Sequence, residues 1–188
     1  MEEHVPVLLR EALENLNIKP DGIYVDLTVG RAGHSSAILK RLTTGKLFGF
    51  DQDHTALAAS SKRLASISSN FELIDANFAR VRSELEARGV HSVNGILMDL
   101  GVSSPQFDEA DRGFSYRFEA PLDMRMDADN PLTAAMVVNT YELRELTRVF
   151  RDYGDEKYAY EIAKAIVKSR SLTPILTTTQ LVDVIKSA

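Results

Sequence analysis

Residues 24–35 read YVDLTVGRAGHS, and this run decides the fold. An apolar strand over Ile23, Tyr24 and Val25 leads through an acid, Asp26, into a glycine turn, and His34 to Leu42 then has the spacing of an amphipathic helix. Gly30 and Gly33 let the main chain turn tightly and come close to a ligand, the plan of a nucleotide-type cofactor site. The dinucleotide fingerprint G-x-G-x-x-G is not met, because counting from Gly30 puts Ala32 and Ser35 where its second and third glycines belong. NAD and FAD are disfavoured on that ground. An acid inside the turn, here Asp26, suits S-adenosylmethionine (SAM) instead, whose site binds an amino acid and a ribose rather than a pyrophosphate. A short strand and glycine turn also occur in α/β proteins that bind nothing there.

A second acid strengthens the cofactor reading. KLFGFDQD is a strand ending at Asp51, about 20 residues past the turn, where a carboxylate can accept hydrogen bonds from both ribose hydroxyls. Asp53 before HTALAAS is a helix N-cap, which leaves Asp51 as the ribose candidate. A third strand over Phe71 to Ile74 precedes DANF, so Phe78 can lie against an adenine or, as a lone aromatic, belong to the core. The fourth strand, Val93 to Met98, runs into DLGVSSPQF. Placed beside the first, it opens at the point where a doubly wound sheet reverses its strand order, so Asp99, Ser103, Ser104, Pro105, Gln106 and Phe107 are expected to face the cofactor. Acceptors there can hold the N–H bonds of an exocyclic base amine while its nitrogen pyramidalises toward a methyl donor, and the aromatic can stack on the base. The alternative is an ordinary turn, since Ser, Pro and Gly punctuate loops.

Taken together, HVPVLL, DLTVGRAGHS, FDQD, MDLGVSSPQFDEADRGFS, PLDMRMD and YGDEKYAYEIAKAIVKSR resemble the MraW/RsmH family in order along the whole chain. The resemblance implies a SAM-dependent methyltransferase of the cytoplasm, acting on N4 of a cytidine in small-subunit ribosomal RNA. Its cofactor contacts carry over to Ala32, Gly33, His34, Asp51, Phe78, Asp99 and Gln106, beside Asp26 and Gly30 from the turn itself. Ser104, Pro105 and Phe107 would hold the base, with Asp99 leading as holder of the amine. PLDMRMD reads either as a segment fixed by local ion pairs or, with the resemblance, as Asp123 and Arg125 organising the RNA side together with Arg112. Where the family has Gly-Gly-His this chain has Ala32-Gly33-His34, acceptable if Ala32 keeps a negative φ. The family also continues past the length of this chain. The expectation is therefore an incomplete Rossmann-like sheet, self-association through its edge, and an alternative reading as a truncated, non-catalytic SAM-binding or interaction module.

Composition bounds the rest. With 188 residues, 44% hydrophobic and 26% charged, the chain can bury a real core. No apolar run approaches membrane-spanning length, and the acidic, amphipathic start is unlike a signal peptide. Cysteine is absent and the four histidines lack ligand spacing, so neither thiol chemistry nor a metal is expected. A net charge of −5 gives no global attraction to RNA, so affinity for it must come from a local patch. Strand and helix alternate through the first hundred residues; a polar connection carrying Arg112, Arg117 and Arg125 follows, then helical patterns at 132–138, 141–152, 156–169 and 178–186. The expected division is a SAM-binding part at 1–104 and a substrate-side loop with a helical insertion at 105–188.

Overall fold

Short β-branched and aromatic runs, each followed by a helix that carries the chain back, are what a parallel sheet requires. The computed structural model describes residues 6–188, so His4 and Val5 of the HVPVLL run lie outside the described residues. Helix α1 (Leu9–Leu16) is followed by β1 (Ile23–Asp26), α2 (Gly33–Leu39), β2 (Lys46–Asp51), α3 (His54–Ala65), β3 (Phe71–Asp75), α4 (Val81–Glu86) and β4 (Gly95–Leu97). The strands are all parallel, in the order β3-β2-β1-β4.

In this register Tyr24 lies beside Leu47, and Val25 beside Phe48 and Ile96. Strand alternation then sends Tyr24 and Leu47 to one face, where Leu13, Ile38, Leu39 and Leu64 from α1, α2 and α3 cover them. Val25, Phe48 and Phe50 go to the other face together with Ile74 of β3, under Leu85 of α4. Helices on both faces make the sheet doubly wound, as read from the sequence. Asp53 caps α3 by accepting from the amides of Thr55 and Ala56 at 2.9 and 3.3 Å. Helix α2 stops at Leu39 rather than Leu42 because the amides of Thr43, Thr44 and Gly45 all converge on the Pro20 carbonyl and turn the chain. Strand β4 is shorter than expected and forms the edge, where Ile96 and Met98 are 48% and 55% exposed.

Residues 102–188 form a second compact unit. It contains α5 (Ser104–Asp108), α6 (Ala134–Thr140), α7 (Leu143–Arg148), α8 (Ala159–Arg170) and α9 (Thr178–Lys186). Where one helix was expected over 141–152, α7 passes into a π-helical turn, Val149–Tyr153. Leu122, Leu146, Ile162, Ile166 and Ile175 make the core. The polar connection is fastened to this core: Pro121 bridges Thr177, the Leu122 amide donates to Leu176 O at 3.0 Å, and the Thr178 hydroxyl donates to Phe118 O at 2.6 Å.

Asn139 substitutes for a strand at the buried Ile175, donating from Nδ2 to its carbonyl at 2.7 Å and accepting at Oδ1 from its amide at 2.9 Å. Asn139→Ala leaves both backbone groups without partners, so it should destabilise this unit by about 1–3 kcal/mol. Urea denaturation followed by circular dichroism measures the loss.

Candidate functional site

Parallel strands bring all their carboxyl ends to one edge of a sheet, and the order reverses between β1 and β4, where such sheets leave a crevice. β1 ends there at Asp26, which is 1% exposed. The Ser35 hydroxyl donates to its Oδ2 at 2.6 Å and the Thr28 amide to its Oδ1 at 3.1 Å. Burial pushes the Asp26 carboxyl up from its ordinary range; the bonds from Ser35 and Thr28 and the nearby His34 oppose this, and Asp51 adds to the rise. Asp26 therefore faces inward and holds the turn. The Thr28 hydroxyl in turn accepts from the Asp99 amide at 2.8 Å, joining the β1 loop to the β4 loop.

Asp51 fastens the other side. Its Oδ2 accepts from the Gly30 amide at 2.8 Å, and its Oδ1 from the amides of Gln52 and Asp53 at 2.9 and 3.0 Å. Gly30, at φ 51°, is in the left-handed region that lets its N–H turn back to β2. A carboxylate offers about four acceptor sites, so three amides leave capacity for a ligand hydroxyl on this half-buried group. Asn77 ties β3 to β2 by donating to Gln52 Oε1 at 2.9 Å, and Phe78 beside it is 40% exposed. His34, at the start of α2 and buried, places Nε2 3.0 Å from Val7 O and Nδ1 3.9 Å from Asp99 Oδ2.

Ala32 departs from expectation, because its φ is 59° rather than negative. A left-handed L-residue costs about 1–2 kcal/mol. Glycine in its place would add about 0.4–1 kcal/mol of unfolded-chain entropy and expose a gap where the buried methyl contributes about 0.8 kcal/mol. The two sides nearly cancel, so the alanine is tolerated.

In the second unit, SPQFD folds as helix α5 rather than as a turn. Proline suits a first helical turn, where no amide bond is lost; only the backbone of Pro105 is described. Gln106 Oε1 accepts from the Ser103 amide at 2.9 Å, and Phe107 is 47% exposed. Arg125 binds Asp123 through Nε and Nη2 at 2.9 and 2.7 Å and donates from Nη1 to the carbonyls of Ala128 and Asn130. That pairing holds the Asp123 carboxyl below the usual range. Arg112 donates to the carbonyls of Arg125 and Met126 at 2.9 and 3.4 Å, and the Met124 amide donates back to Arg112 O. Gly113, at φ 71°, passes so close to the other strand of this loop that a Cβ would lie 2.3 Å from Pro121 O. The Asp123–Arg125 ion pair and the bonds from Arg112 to backbone carbonyls thus clasp the loop.

Sequence reasoning missed Thr28, Ser35 and Asn77 as organisers. Ser35 had a signal, since it occupies the third fingerprint position, where a small residue packs the helix against the strand and a hydroxyl can reach the acid. Among the described residues no group of three or more His, Cys, Asp and Glu side chains is placed to hold a metal, and no helix is long and apolar enough to cross a membrane. The acceptor-rich edge, with Asp51, Asp75 and Asp99 all partly exposed, suits a ligand with hydroxyls and positive charge and repels a pyrophosphate.

The sequence model of the MraW methylase family matches residues 1–188. Ribosomal RNA small subunit methyltransferase H of Mesoplasma florum is 57% identical over 189 residues, taking in 100% of this chain and 60% of its own length. The protein of the same name from Exiguobacterium sibiricum is 55% identical over 188 residues, with the same coverage. The chain thus spans about 60% of the length of these curated relatives. Among solved structures, an rRNA methylase from Streptococcus thermophilus aligns with a TM-score of 0.36 and 25% identity, over 44% of this chain and 50% of that one.

Asp26 supplies a test of how the turn is held. Its folded pKa is raised, so the native state retains a proton that the unfolded chain releases, and stability falls as pH rises from the ordinary carboxylate value to the raised one. Asp26→Asn keeps partners for Thr28 and Ser35 but cannot ionise. Thermal melts across the acidic-to-neutral range should give the variant a flatter stability profile than wild type.

Proposed function

The chain belongs to the MraW methylase family, and we propose on that footing that it binds SAM at the carboxyl edge of its sheet and serves methyl transfer to N4 of a cytidine in small-subunit ribosomal RNA, in the cytoplasm. The observation that carries the reading is Asp51, a partly exposed carboxylate bonded to Gly30 at the tip of β2 with acceptor capacity left over. Asp51 receives the ribose hydroxyls, the exposed ring of Phe78 covers the adenine, and the turn at Gly30, Ala32, Gly33 and His34 receives the methionine end. Asp26 acts through the turn that it holds. When bound, SAM supplies a methyl group already activated on a positively charged sulfur.

The residues of the chain then have to bind, orient and exclude water. A carboxylate oxygen of Asp99 accepts an N–H bond from the cytidine amine. This would turn the nitrogen lone pair out of ring conjugation toward the activated methyl, whose bond to sulfur would break as the carbon–nitrogen bond forms, leaving a neutral thioether, and the proton lost by the nitrogen would pass to solvent. On the family resemblance alone, Ser104 and Phe107 are assigned to an unstacked base and Gln106 to the cofactor. Asp123, Arg125 and Arg112 give the substrate-side loop its shape. The exposed Ile96 and Met98 on the β4 edge support self-association of the 188-residue chain, which sedimentation velocity would report as a species heavier than the monomer.

Asp51→Ala should weaken SAM binding about ten- to hundredfold, through loss of hydrogen bonds to a charged acceptor worth about 1.5–3 kcal/mol, and should also loosen the Gly30 turn. Calorimetric titration measures the affinity, and unchanged binding sinks the assignment. Methylation assays on small ribosomal subunits decide between turnover and the alternative of a non-catalytic SAM-binding module.

A further inference from the structure

The loop after β4 carries three arginines, and the structure treats them differently. Arg112 and Arg125 are spent on carbonyls and on Asp123 inside the loop. Arg117 is exposed, and its guanidinium makes no ion pair or hydrogen bond among the described residues. It lines a groove of about 370 Å³ with Ser104, Phe107, Asp108, Phe114, Ser115 and Tyr116. The volume falls in the range of small-ligand pockets. Tyr116 is 78% exposed and Phe107 47%, an unusual outlay of aromatic surface for a polar loop.

Aromatic faces beside a free cation and short hydroxyls are the chemistry that takes up single-stranded nucleic acid, with bases stacking on the rings and the phosphate meeting the guanidinium. We infer that this groove seats one unstacked nucleotide of the RNA substrate, stacked on Tyr116 and Phe107 with its phosphate on Arg117. The assignment rests on the RNA methyltransferase reading and gives it a positioning element, Tyr116 and Arg117. Because the chain carries a net charge of −5, a cation left free inside an aromatic groove is the local attraction that RNA binding needs.

The test is fluorescence anisotropy of a labelled, cytidine-containing single-stranded oligoribonucleotide with the 188-residue chain, alongside calorimetry with SAM. Tyr116→Ala should weaken RNA binding about tenfold and Tyr116→Phe should restore most of it. Arg117→Ala should weaken binding and reduce the magnitude of the salt-dependence slope by about 0.7, the share of one single-strand phosphate contact. SAM affinity should be unchanged in all three variants. RNA binding by wild type that neither Tyr116→Ala nor Arg117→Ala alters overturns the groove assignment and leaves the methyltransferase reading standing. Equal affinity for a duplex overturns it too, since duplex bases cannot stack on the rings. Absence of RNA binding by wild type overturns the assignment whatever calorimetry gives, and absence of SAM binding as well removes the reading beneath it.

Discussion

Burying Asp26 takes a carboxylate out of water, and the donors around it have to replace that water. The donors come from neighbouring parts of the same turn: the Thr28 amide from the strand exit and the Ser35 hydroxyl from the first turn of α2. Once Thr28 is fixed, its own hydroxyl receives the Asp99 amide, and the β4 loop is held to the β1 loop. Asp51 repeats the device one strand over, fixing Gly30 from the side. The edge is therefore organised by carboxylates that satisfy backbone amides. The acceptor capacity left on Asp51 and Asp99 is what a hydroxyl-rich, positively charged cofactor can use.

The second unit solves a different problem with the opposite sign of charge. A long polar loop needs its backbone groups satisfied, and Arg112 and Arg125 do this by donating to carbonyls while Asp123 anchors one of them. Guanidinium groups suit the task because several N–H donors diverge from one plane. The same commitment occupies two of the loop's three guanidinium groups and leaves Arg117 exposed.

Much of this was readable in the residues, and the exceptions share a cause. The strands themselves, the Asp53 cap and the helices at 134–140, 159–170 and 178–186 follow from periodicity and capping chemistry, which are local, and β4 could be set beside β1 only from the general plan of doubly wound sheets. Asp26 was legible as an acid in a turn, but whether such an acid faces a ligand or the protein depends on Ser35, nine residues away. The left-handed conformation of Ala32 was hidden because alanine gives no sign of it, whereas glycine would have. Ser104 to Asp108 looked like a turn because serine and proline occur both in turns and at helix starts. The π turn at 149–153 lies inside an unbroken helical pattern, and an inserted residue in a helix leaves no compositional mark. Arg112 and Arg125 were correctly placed on the loop, but a sequence cannot say which arginine its own carbonyls will claim.

The pairing of β1 with β4 also governs when the edge comes into being. Asn94 accepts from the Ile23 amide and Thr28 from the Asp99 amide, each across 71 residues of chain. Contacts so distant along the sequence close late, because the loop-closure entropy must be met before the new bonds repay it. β1, β2 and β3 can assemble by successive short crossovers, but the crevice beside β1 waits for the chain to double back. On a growing polypeptide, the turn at Gly30 would be made early and stay without its Asp99 partner until the first unit was almost wholly synthesised. The join between the β1 and β4 loops therefore waits on the last strand of the first unit.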